Sequence, residues 1–164
     1  MTAHSGANSV EVDVRAELSA ATTKAPLVGR ETELQLVELK LDALLERGAA
    51  LVLRGEAGIG KSVLLDAARD LAVERGVRAL HTAGVAAESD LPYSGLHRLL
   101  RPVIAGADEL PGARRSALLG AFGIGDGLGG DPFLVALATL DLLSAHAAGE
   151  PLLVIADDLH WLDA

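Results

Sequence analysis

Gly55-Glu56-Ala57-Gly58-Ile59-Gly60-Lys61-Ser62 is the stretch on which the reading of the fold turns. It meets every fixed position of the pattern G-x-x-x-x-G-K-[ST]. Glycines let the backbone bend so that successive N–H groups point inward at anionic oxygens. The helix that follows such a loop adds the positive end of its dipole. In this chemistry Lys61 reaches the β- and γ-phosphates of ATP, and the Ser62 hydroxyl ligates Mg²⁺. All eight residues, Gly55, Glu56, Ala57, Gly58, Ile59, Gly60, Lys61 and Ser62, are therefore candidate phosphate-binding positions. A glycine-rich turn with an incidental lysine is the bland alternative, and the flanking elements decide between the two.

The pattern requires a strand before the loop and a helix after it. Ala50-Leu51-Val52-Leu53 is a short continuous apolar run that reads as a buried parallel strand closed by Arg54. A helix is predicted from Lys61 to about Glu74, stopped by Gly76, and Val77 to Thr82 reads as a second strand. Strand, helix and strand make the unit from which parallel sheets with right-handed crossovers are built. Upstream, Leu34, Val37, Leu41 and Leu44 recur at spacings of three and four, widened by Leu45, and predict a helix from Glu31 to Arg47, ended by Gly48.

Downstream, Pro151 to Ala156 reads as a third buried strand that runs directly into Asp157-Asp158. The carboxyl edge of an open α/β sheet is where ligands sit, and a buried strand can deliver an aspartate to the metal beside the phosphates. Asp157 is thus the candidate Mg²⁺ ligand, directly or through water. Asp158 is the candidate catalytic residue that orients or activates the attacking water. Two aspartates could equally open a surface turn; pairing with the upstream loop favours the metal reading.

The middle of the chain is predicted helical. Ser94 to Ile104 carries Leu96, Leu99, Leu100 and Val103 on one face, with Pro102 ending it early. Pro111 to Leu119 makes a weaker helix. Residues 120 to 131 form a glycine-rich loop, and Asp131-Pro132 caps and opens a helix to about Ala148. Gly125 to Gly130 contains a formal G-x-G-x-x-G, but no strand precedes it, so it reads as a loop. The five histidines show no metal-ligand spacing. His160 and Trp161, just past the acidic pair, read as local packing, with contact to a sensor element as the alternative.

Composition sets the outer limits. The net charge is -9, so a basic surface for direct nucleic-acid binding is not expected. With no cysteine, disulfides and thiolate metal sites are excluded. No apolar run reaches the roughly 18 residues needed to span a membrane, and residues 1 to 25 lack a signal-peptide pattern and read as a mostly disordered leader with a short helical turn around Val12 to Leu18. A cytoplasmic location without membrane contact follows as the expectation. Aromatic residues are only 2% of the chain, so the core must be built from interlocking aliphatic side chains.

With these motifs in hand, residues 26 to 164 resemble the AAA-like ATPase domain of the large ATP-binding LuxR-type transcriptional regulators, within the signal-transduction NTPases. The resemblance rests on Leu27-Val28-Gly29-Arg30-Glu31, the Gly55 to Ser62 loop (Walker A), Leu91 to Pro102, Asp131 to Val135, and Leu152 to Asp163 with its acidic Walker B end. It implies a three-layer αβα P-loop NTPase fold with a parallel sheet, and Val28, Gly29 and Arg30 near the adenine. It also implies a nucleotide switch that controls oligomerisation or an output domain, with DNA bound by a C-terminal domain outside this segment. In that class the next strand inserts between the acidic strand and the phosphate-loop strand. The expectation is therefore a fragment truncated after the Walker B strand, with weak nucleotide binding and little turnover. Two other functions remain open: a non-catalytic fragment that pairs with a partner protein through its sheet edge, and a P-loop small-molecule kinase, which the double aspartate and the Leu91 to Pro102 stretch disfavour.

Overall fold

A computed structural model describes residues 29–43, 48–124 and 130–162. Helix α1 spans Glu31–Ala43, α2 Lys61–Glu74, α3 Ser94–Leu100, α4 Gly112–Ala121 and α5 Pro132–Gly149. Strands β1, Arg78–Ala83, and β2, Leu152–Asp157, form a parallel two-stranded sheet with Arg78 opposite Leu152 and Ala83 opposite Asp157. The chain is thus of mixed helix and parallel-strand type. The leader, its proposed helical turn, Val28, Leu44, Leu45 and the glycines from Gly125 to Gly129 lie outside the described residues.

Local chemistry explains most boundaries. Gly60, at φ 95°, opens α2, and Gly76, at φ 72°, closes it; both conformations are left-handed and favour glycine. Asp131 caps α5 by accepting hydrogen bonds from the N–H groups of Phe133 (2.8 Å) and Leu134 (3.4 Å), and Pro132 begins the helix. Pro111 sits at the cap position of α4, one step before the predicted helical turn. At Leu100 the α-helix gives way to a nine-residue 3₁₀ stretch, Arg101–Glu109, because Pro102 cannot donate the next backbone bond.

Two apolar clusters hold these elements. The larger joins Leu80 of β1 to Leu99 and Leu100 of α3, Val103 and Ala107 of the 3₁₀ stretch, Ala117 and Leu118 of α4, and Val135, Ala138 and Leu142 of α5. The smaller joins Val37 and Leu41 of α1 to Leu64, Ala68 and Ala72 of α2 and to Val77. Leu152 packs against the larger cluster and Leu153 against the smaller, as the period-two alternation of a strand requires. Among the described residues Thr82 is the one buried polar side chain, and its hydroxyl donates to the Gly95 carbonyl (2.9 Å), fastening α3 to β1.

Two expectations need correction. Ala50–Leu53 is not a buried strand. It lies outside any ladder, with Val52 66% exposed and Leu51 39% exposed, because among the described residues no strand runs beside it to accept its backbone bonds. β2 is less buried than its apolar sequence implies: Ile155 is buried while Val154 is exposed. Among the described residues α5 is the one helix long and apolar enough, by length and composition alone, to cross a membrane. Its Val135, Ala138 and Leu142 face nonetheless enters the larger cluster, and Asp141 pairs with Arg114 of α4.

Candidate functional site

The Gly55 to Gly60 loop turns the chain from the extended 51–54 segment into α2. Gly58 (φ 77°) and Gly60 (φ 95°) both take left-handed conformations, which a side chain would oppose. A Cβ at Gly55 would lie 2.9 Å from Ile59 Cγ2, so the exposed Ile59 side chain would have to shift to admit it. No side chain caps the start of α2. Its first N–H groups lack intrahelical partners, and Leu64 N–H is the first to bond back into the loop, to Gly60 O at 3.1 Å.

Lys61 curls over its own loop. Its Nζ donates to the carbonyls of Glu56 (2.9 Å) and Gly55 (3.1 Å). The ammonium therefore stands at the mouth of the loop rather than in bulk solvent. From the other side Arg30 Nη2 donates to Ile59 O at 2.6 Å, while its Nη1 bonds Glu33 at 2.6 Å. That guanidinium, followed by Glu33's own backbone N–H, holds the Glu33 carboxyl below the usual range. Gly29, at φ 77°, donates its N–H to Glu31 (3.0 Å). Glu31 is likewise lowered, first by its own backbone N–H and then by that of Gly29.

The acidic pair sits at the carboxyl end of β2. Asp157 is four residues beyond Leu153 and so shares the face that carries the α2-side cluster. One oxygen of its carboxylate accepts the Asp158 N–H at 2.8 Å. Asp158 is left-handed (φ 46°, ψ 48°), which reverses the strand into the 3₁₀ turn Leu159–Trp161. Asp157, Asp158 and Lys61 line one cavity together with Leu51, Val52 and Leu53. A larger adjoining groove, about 640 Å³, is lined by Gly55, Ala57, Gly58, Gly60, Lys61 and Ser62 on one wall and by Asp158, His160 and Trp161 on the other. That volume falls within the roughly 300–1,000 Å³ of small-molecule sites.

The two motifs, about a hundred positions apart in the chain, thus meet. Ser62 and Asp158 share the larger groove, whereas Asp157 faces the cavity beside it with Lys61. The sequence left His160 and Trp161 between local packing and a sensor contact; both line the groove, their rings 4.9 Å apart. Their position immediately after the acidic pair was the available signal. The Arg30 contact with the loop, across 29 positions, had no local signal at all.

The donor set fits a magnesium-bound triphosphate: uncapped helix amides and an ammonium for the anion, and one hydroxyl and carboxylates of β2 for a hard cation. Among the described residues no cluster of three or more His, Cys, Asp or Glu could hold a metal alone. A family model described as an AAA ATPase domain matches residues 26–164. Neither the curated proteins nor the solved structures contain a match.

Proposed function

The chain belongs to the AAA ATPase domain family, and from that premise we propose that Gly55 to Ser62 bind the phosphates of Mg-ATP while Asp157 and Asp158 serve the metal and the attacking water. The observation that carries this reading is the shared groove between Lys61 and Ser62 on one wall and Asp158 on the other. Loop amides and Lys61 would hold the β- and γ-phosphates. Ser62 and Asp157 would hold Mg²⁺, which when bound neutralises charge on the phosphate oxygens. Asp158 would orient water toward the terminal phosphate. Val28, Gly29 and Arg30 would border the adenine, a role supported by the docking of Arg30 on Ile59. A three-layer αβα arrangement fits the two clusters that receive alternate residues of β2.

In this reading the domain is a nucleotide switch of the kind found in LuxR-type transcriptional regulators, working in the cytoplasm through self-association or a protein partner. Calorimetric titration of the chain with Mg-ATP, beside Lys61→Ala, tests the site. Saturable binding lost in the variant supports it; equal binding by both proteins would remove the phosphate loop from consideration.

A second reading is favoured by one observation. Leu51 and Val52 are exposed beside a cavity whose far wall is Ala156 to Asp158. A strand from a partner could pair there and gain main-chain bonds. Self-association unaffected by Lys61→Ala but abolished by Val52→Pro, measured by sedimentation, would favour it over the switch.

A further inference from the structure

Gly84 follows the last residue of β1 and has no left-handed φ to explain it. Its constraint is space. A Cβ at Gly84 would lie 2.3 Å from Asp158 O, 2.8 Å from Leu162 N and 2.8 Å from Trp161 C. All three are backbone atoms, so no rotamer change relieves the contact. The turn they belong to is closed by its own bonds, Trp161 N–H to Asp158 O (2.9 Å) and Leu162 N–H to Leu159 O (3.2 Å). Gly84 also donates its N–H to Asp157 O at 3.0 Å. The end of β1 therefore both ties down the backbone of Asp157 and leaves the space in which Asp158 reverses direction.

We infer that Gly84 is a positioning residue of the metal end of the site: its missing side chain lets the Asp158–Leu162 turn close against β1 and so holds Asp158, His160 and Trp161 at the phosphate-loop groove and Asp157 at the cavity beside it. The inference rests on the nucleotide reading above. It adds a residue outside both motifs, and the three nearest atoms that a Cβ at Gly84 would meet all belong to the Asp158–Leu162 turn. Groups that orient metal ligands without touching the metal typically change metal affinity by about 10–100-fold.

The test compares ATP binding in magnesium and in EDTA for the wild-type chain, Gly84→Ala, Lys61→Ala and Gly112→Ala. Gly112 is the control, because a Cβ there meets nothing within 4 Å. The expected result is that Gly84→Ala binds ATP in EDTA within about twofold of wild type but loses roughly 10–100-fold of the tightening that magnesium brings. Gly112→Ala should behave as wild type. Magnesium tightening unchanged in Gly84→Ala overturns the inference. So does a Gly84→Ala chain that loses binding in EDTA or its cooperative melt, since Gly84 would then serve the fold or the whole loop. Trp161 is the single tryptophan, and its emission without nucleotide gives an independent reading of the turn. A spectral shift in Gly84→Ala is expected, and an unchanged spectrum overturns the inference. Wild-type chain that fails to bind, or Lys61→Ala that binds equally well, would instead sink the nucleotide reading, whatever Trp161 reports.

Discussion

Leu152–Asp157 lies in a ladder against Arg78–Ala83, with Ile155 buried, while the equally apolar Leu51–Leu53 stands outside any ladder with Val52 two-thirds exposed. The two runs differ little in side chains. They differ in neighbours. β2 has β1 to satisfy its backbone and a cluster to receive its side chains. The 51–53 segment has α1 and α2 on one side only, through Leu53. A strand is thus a property of a pair, and apolar content supplies only one of its two requirements. The difference extends to the two halves of the molecule. Around β1, α3, α4 and α5 a continuous aliphatic cluster sets the packing. The phosphate-loop half rests on a smaller cluster and a few polar clasps.

The largest expected effect follows from that contrast. Leu118 is fully buried in the larger cluster, so Leu118→Ala should lower unfolding stability by about 2–5 kcal/mol in urea titration. Leu51→Ala, at an exposed position, should change it by less than about 1 kcal/mol. Comparable losses would show that the 51–53 segment is packed in solution and would break the comparison. Amide hydrogen exchange sharpens it next. Ladder amides of β1 and β2 should exchange on the order of a hundredfold more slowly than those of Leu51, Val52 and Leu53, because the latter open without disturbing the core. Equal protection would mean that the segment finds a strand partner, as the second reading requires.

The smallest effect concerns the clasp on the phosphate-loop half. Glu33 is held below its ordinary value by Arg30, so the ionised form stabilises the fold. That contribution is complete above the ordinary carboxylate range and is lost as pH falls through the depressed value. Arg30→Ala should raise the Glu33 titration midpoint seen by NMR, and an unchanged midpoint would show that the pair does not persist in solution.

Much of this architecture was legible in the residues themselves. Gly60 and Gly76 bound α2 at both ends, and Asp131-Pro132 fixes the start of α5, because glycine conformation and helix capping are local. The turn from Gly55 to Gly60 into α2 and the acidic end of β2 were legible for the same reason, as short patterns with fixed spacing. Whether Ala50–Leu53 forms a strand was not, since that depends on a neighbour far away in the chain. The 3₁₀ stretch after Leu100 depends on packing beyond the local spacing. Gly84, the Arg30 contact with Ile59, and the facing of Trp161 into the groove all arise where distant backbones approach, and nothing in their immediate neighbours announces it.

The Arg30 to Ile59 bond also has a meaning in terms of chain length. It closes a circuit of 29 positions that contains α1 and the 51–54 segment. The entropic cost of closing such a circuit grows only with the logarithm of its length, about 0.6 kcal/mol per doubling. A few residues inserted beside the exposed Gly48 should therefore leave the clasp nearly intact. The distance along the chain between α1 and the phosphate loop is free to vary, while the contact that joins them is not.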